Sequence, residues 1–181
     1  MTKRIRRVVM GEPEPGKSVF THVEEVKPVA LGPHTGRYYV WGWDELPQYP
    51  HSQTAPYVPR SHFPPPGGVR VFVEASFGAE SPVSEEQKKG LAEAQRLSAA
   101  EPNGMNRGTQ PGMHQTNGLD IGVVISGEVI VEAEDGSSVT LSPGDIYIQP
   151  GAMHAWRTAG PTNPAQVAFV VFHRPEPRQQ P

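Results

Sequence analysis

The chain has 181 residues, 19% of them charged, and a formal net charge of −3. That length is enough for one domain with its own core, and a slightly acidic balance without a basic stripe gives no footing for nucleic acid as a partner. There is no cysteine, which excludes disulfides, thiolate metal sites and cysteine nucleophiles.

In chain order, the first segment KRIRR (3–7) is short and gives way at once to apolar residues, so it reads as a solvated strand edge. It lacks the apolar stretch of a secretory signal, and no later run reaches the roughly 18 apolar residues of a membrane span. The expectation is a cytoplasmic protein that does not engage a membrane. Strand-like pieces follow at RRVVM (6–10), KSVFTHV (17–23), RYYVWGW (37–43) and VRVFVEASF (69–77). The proline-rich stretch 47–68 cannot run as a helix or central strand, because proline removes an amide donor and restricts its neighbour. It is expected as an ordered loop draped over the core.

One helix is expected over 84–100, with Ser84 as N-cap, Gln87 at the capping-box position and acidic residues in its first turn. Its apolar stripe of Leu91, Ala94 and Leu97 is narrow, which predicts a surface helix. Residues 103–112, NGMNRGTQPG, read as a flexible loop. From 113 to 173 the texture becomes regular: short β-rich runs separated by turns at Ser126-Gly127, Asp135-Gly136 and Pro143-Gly144. The run AQVAFVVFH (165–173) puts Val167, Phe169 and Val171 on one face. Many short strands with almost no helix predict an all-β antiparallel sandwich or barrel.

Two segments carry the chemistry. GMHQTNGLDIGVVISG (112–127) holds His114, Thr116, Asp120 and Gly127, and GDIYIQPGAMHAW (144–156) holds His154. In this pairing the second half resembles the cupin family, whose first motif spaces two histidines, a glutamate and a glycine, and whose second motif adds a histidine. Thr116 stands where the second histidine would be, and Asp120 where the glutamate would be. The pattern also resembles a group of small cupins with an N-terminal extension for which decarboxylase or lyase roles are proposed. The resemblance implies a double-stranded β-helix, or jelly roll. Residues 1–112 would form an N-terminal extension of strands, loops and one short surface helix packed on the barrel. Residues 113–175 would be the core and 176–181 a disordered tail, all within a single domain. It further implies a homodimer and one small-molecule site inside the barrel.

Alternation along a strand places His114 and Thr116 on one face. With His154 and Asp120 they would form a pocket of two imidazoles and a carboxylate. Such a set suits a divalent ion, Fe, Mn, Ni or Zn, and leaves coordination positions open. The expected catalytic and metal-binding residues are therefore His114, Asp120 and His154, with Thr116, Tyr147 and Trp156 lining the substrate site. The favoured function is a divalent-metal-dependent lyase or decarboxylase acting on an oxygenated organic acid or carbonyl compound. The alternatives are an Fe(II)-dependent dioxygenase and a non-catalytic small-molecule binder. No nucleophile elbow, phosphate loop or dinucleotide fingerprint competes with these readings.

Overall fold

The structure is a computed structural model that describes residues 3–32, 34–46, 58–76, 85–99, 105–160 and 163–175. Strands β1 (Arg6–Glu14) and β2 (Lys17–Glu25) form an antiparallel hairpin. They are followed by β3 (Val29–Gly32), β4 (Thr35–Trp43) and β5 (Val69–Ser76). Helix α1 (Glu85–Ala99) leads to β6 (Met105–Arg107). The second half runs through β7 (His114–Thr116), β8 (Gly118–Ser126), β9 (Val129–Ala133) and β10 (Ser138–Leu141). It ends with β11 (Ile146–Gln149), β12 (His154–Thr158) and β13 (Gln166–His173).

Apart from the β1–β2 hairpin, the strands form two antiparallel sheets, in the orders β10-β9-β12-β7-β6 and β11-β8-β13-β5-β4-β3. The sheets face each other: Trp156 of the first meets Phe169 of the second edge-on, with ring centroids 5.2 Å apart. Between them lies a core that includes Tyr39, Phe72, Val124, Val167, Phe169 and Val171. Val167, Phe169 and Val171 share the inward face of β13, as the period-two pattern requires. The fold is the all-β jelly roll. The three expected turn glycines take positive φ, Gly127 at 69°, Gly136 at 83° and Gly144 at 98°, a region that costs other residues strain.

Two expectations are corrected and one is borne out. The boundary at residue 112 does not separate the sheets: β3, β4 and β5 make up one half of the six-stranded sheet, β5 pairing with β13 from Gln166↔Ala75 to Phe172↔Val69. The alternation of RYYVWGW and VRVFVEASF showed strands but could not show their partners. Helix α1 is the expected surface helix, with its narrow stripe turned inward: Leu97 is fully buried in the main core and Ala94 is buried as well. Two or three well-placed apolar residues suffice when the helix only has to plug one side of a barrel. The segment read as a flexible loop contains β6, which pairs with β7 at the edge of the five-stranded sheet. Of the proline-rich stretch, residues 58–68 are described and bury Ser61, His62 and Pro64, whereas 47–57 lie outside the described residues, as do Ser84 and the tail 176–181.

Candidate functional site

Strand pairing builds the site. β7 is short, yet it pairs on one side with β6 and on the other with β12, and both pairings meet at His114. Arg107, His114 and His154 thus lie directly opposite one another across three strands. Opposed residues in antiparallel pairs project to the same face, so the two imidazoles stand together, with ring centroids 4.5 Å apart. A turn follows at Asn117, and β8 then carries Asp120 inward from the facing sheet, where it pairs with Gln149 of β11 and Val171 of β13.

Hydrogen bonds fix the histidines. Nδ1 of His114 lies 2.9 Å from the carbonyl of Gly112. A carbonyl only accepts, so the neutral ring carries its proton on Nδ1 and keeps the lone pair on Nε2. Nδ1 of His154 lies 2.9 Å from the carbonyl of Ala152 and equally 2.9 Å from Nε2 of Gln149. The carbonyl calls for a protonated Nδ1 and the amide for a bare one, so Gln149 has a hand in which tautomer His154 adopts. Burial lowers the His154 pKa below the usual histidine value, helped by the neighbouring His114 and opposed by the bond to Ala152.

Asp120 is buried, and the hydroxyl of Thr116 donates to its Oδ2 at 2.7 Å. The same hydroxyl is 3.3 Å from Oε1 of Gln149, itself 2% exposed. A buried polar chain therefore runs from Asp120 through Thr116 and Gln149 to His154. Oδ1 of Asp120 is buried with no hydrogen-bond partner. Burial raises the Asp120 pKa above the usual carboxylate range, against the pull of Thr116, His114, Arg37 and His173.

His114, Asp120, His154 and Trp156 line a cavity of about 390 Å³ between the sheets, walled on its apolar side by Phe72, Val167, Phe169 and Val171. Of the residues expected to line the substrate site, Trp156 does so. Thr116 and Tyr147 are not among the lining residues of this cavity. The short arm of Thr116 is turned to Asp120 and Gln149, and Tyr147 packs behind the wall, with ring centroids 6.0 Å from His154 and 5.0 Å from Trp156. Burial pushes the Tyr147 hydroxyl up to about 12, with Asp120 adding to the effect.

Two imidazoles and a carboxylate oxygen without a partner are donor types that suit a divalent ion. Among the described residues, however, no three histidine, cysteine, aspartate or glutamate side chains stand close enough together to form a metal-holding group. The structure brings together the two histidines of the expected trio, while Asp120, one methylene shorter than glutamate, is engaged by Thr116. Sequence reasoning missed Gln149, Arg37 and Arg107. Arg37 is buried, bonded to Glu74 at 2.7 Å, and lies over the Phe72 ring at 4.1 Å. Arg37 and Arg107 lie outside both histidine-bearing segments, and Gln149, though inside the second, holds none of the positions that the motif spacing marks.

A jelly roll whose inner face carries paired histidines is a cupin architecture, and residues 104–172 match the family model described as a cupin domain. Over that segment, a little over a third of its length, the chain resembles the cupin superfamily. It is similar to oryzines biosynthesis cluster protein J of Aspergillus oryzae, 36% identical over 65 residues, which cover 36% of each chain. It is also similar to a cupin-domain-containing oxidoreductase of Neurospora crassa, 36% identical over 65 residues covering 36% of this chain and 33% of that one. The matches thus span about a third of these curated relatives. Among solved structures, the polyketide cyclase RemF of Streptomyces resistomycificus is 14% identical, with 84% of this chain and 77% of that one covered and a TM-score of 0.44. No helix among the described residues is long and apolar enough to cross a membrane.

Proposed function

We propose that the chain is a small-molecule enzyme of the cupin type, acting on an oxygenated organic acid or carbonyl compound by lyase chemistry such as decarboxylation. One observation carries the reading: His114 and His154 meet in strand register at 4.5 Å, on the wall of an interior cavity that a buried carboxylate also lines. His114 and His154 would hold a divalent ion through Nε2, and such an ion supplies Lewis-acid stabilisation of charge building on a substrate oxygen. Asp120 serves as proton acceptor and donor: Thr116 occupies Oδ2, which leaves Oδ1 for the proton. Phe72, Val167, Phe169 and Trp156 limit water around the reacting carbon, which strengthens every charge interaction there.

The test begins with metal analysis of protein purified without a histidine tag. Stoichiometric Fe, Mn, Ni or Zn, lost in His154→Ala, is the expected result. Absence of metal, with ligand binding indifferent to replacement of both histidines, would overturn the catalytic reading in favour of a non-catalytic binder. The engagement of Asp120 by Thr116 is the observation that favours this second reading. A relative named as an oxidoreductase keeps dioxygen chemistry in view, and oxygen uptake with candidate acids separates that chemistry from a lyase.

We infer a homodimer, supported by apolar residues left exposed on outward faces: Val8, Met10, Phe20 and Val23 on the β1–β2 hairpin, and Ile146 and Ile148 on β11. Outward positions of an antiparallel sheet are ordinarily polar. Sedimentation equilibrium should give twice the chain mass, and a monomer at all concentrations would refute the dimer.

A further inference from the structure

Three arginines line the interior cavity, and two of them are neutralised within the fold. Arg37 is paired with Glu74 at 2.7 Å and Arg157 with Glu132 at 3.2 Å. Arg107 lines the same cavity and has no acidic partner among the described residues. It also lines an adjoining cavity of about 480 Å³ with Leu91, Ala94 and Ser98 of α1, so it stands where the interior pocket opens toward the helix. Register gives it a definite neighbour: Arg107 is directly opposite His114, which is directly opposite His154. Cross-strand partners hold their Cβ atoms roughly 4.5–5.5 Å apart on one face. A guanidinium therefore stands at the end of the row that contains the imidazole pair.

We propose that Arg107 is the anchor for the substrate's carboxylate. Its fork of N–H groups matches the two oxygens of a carboxylate in one plane. Anchoring there places the rest of a small organic acid alongside His114 and His154 and against the apolar wall of Phe72, Phe169 and Trp156. The ligand class that follows is a small monoanionic acid with an apolar or aromatic body. Neutral analogues of the same shape gain the wall contacts but leave the guanidinium without its partner, so the pocket discriminates by charge. A merely solvated arginine would make no such distinction. Arg37 does not take this role, because Glu74 and the carbonyl of His62 already accept its protons. The proposal deepens the enzymatic reading by naming a substrate class, but it concerns binding and stands or falls without turnover.

The experiment is titration calorimetry on the full chain with two matched probe pairs, benzoate against benzamide and phenylacetate against phenylacetamide. The wild type should bind each acid about 10-fold or more tightly than its amide. Arg107→Gln should weaken the acids by about 10- to 100-fold and leave the amides unchanged, and Arg107→Lys should fall between. Circular dichroism of each variant monitors the fold, which the exposed position of Arg107 should spare. The proposal is overturned if the wild type binds neither acid at millimolar concentration, if acids and amides bind alike, or if Arg107→Gln retains wild-type affinity for the acids. A His114→Ala/His154→Ala double variant separates the two ideas. Acid binding preserved there, with no metal in the wild type, would defeat the catalytic reading and leave the anchor standing.

Discussion

The hydroxyl of Thr116 donates a 2.7 Å hydrogen bond to Oδ2 of Asp120, and both residues are buried. Where a second histidine would add a metal ligand, threonine instead fixes a carboxylate. Replacing it with the isosteric valine leaves a buried carboxyl group without its donor. Thr116→Val should therefore destabilise the fold by about 1–3 kcal/mol, whereas Thr116→Ser should lie close to wild type. Urea unfolding of the three proteins measures this, and equal midpoints for valine and threonine would show that the bond contributes nothing.

His62 sets a limit on acid stability. Nε2 donates to the carbonyl of Ala94 at 2.9 Å, and Nδ1 accepts from the Tyr39 hydroxyl. Burial and the nearby Arg37 lower its pKa to about 4. The neutral form is thus favoured in the fold. The unfolded chain, where the value is near 6.5, binds the extra proton first as pH falls. The stabilisation is complete above pH 6.5 and is lost between 6.5 and about 4, a change of at most about 3 kcal/mol. The unfolding midpoint of the wild type should fall more steeply over that window than that of His62→Gln. Parallel curves would rule His62 out as the acid-sensitive group.

Trp156 joins the two sheets, touching Phe169 at 5.2 Å and Tyr147 at 5.0 Å while lining the cavity. It is half-buried, so Trp156→Ala should cost toward the lower end of about 3–5 kcal/mol, and Trp156→Phe distinctly less. Thermal unfolding reports the difference. A melting temperature unchanged in the alanine variant would mean that the wall collapses into the space without penalty.

Gly118 has no room for a side chain. A Cβ there would lie 1.9 Å from the carbonyl oxygen of Phe172, a backbone atom of β13 that cannot give way without moving the strand. Gly118→Ala should cost about 3 kcal/mol or more, or prevent folding. A soluble variant with wild-type stability would contradict the tight approach of β8 to β13 at this point.

Much of the fold was legible in the chain. The alternation in AQVAFVVFH and VRVFVEASF, the turn glycines at 127, 136 and 144, and the two histidine-bearing segments each state a local preference that the structure honours. The site was legible in part, since His114, Asp120, His154 and Trp156 all line one cavity. Gln149 could be read only as an ordinary strand residue before a proline, yet it is the link between Thr116 and His154. Arg107 lay in a stretch whose glycines and proline signal a loop, and nothing near it hinted at the strand it forms with β7.

By itself the sequence determined the all-β class, the inward faces of the strands and the histidines available for chemistry, because side-chain alternation and turn preference are properties of neighbours along the chain. Only the tertiary structure decided that β4 and β5 complete the barrel, that Thr116 engages Asp120 and that, among the described residues, one arginine of three is left without a carboxylate. Those outcomes depend on which strands lie side by side, and strand register is set by contacts between residues far apart in sequence, such as Phe72 with Phe169 and His114 with His154.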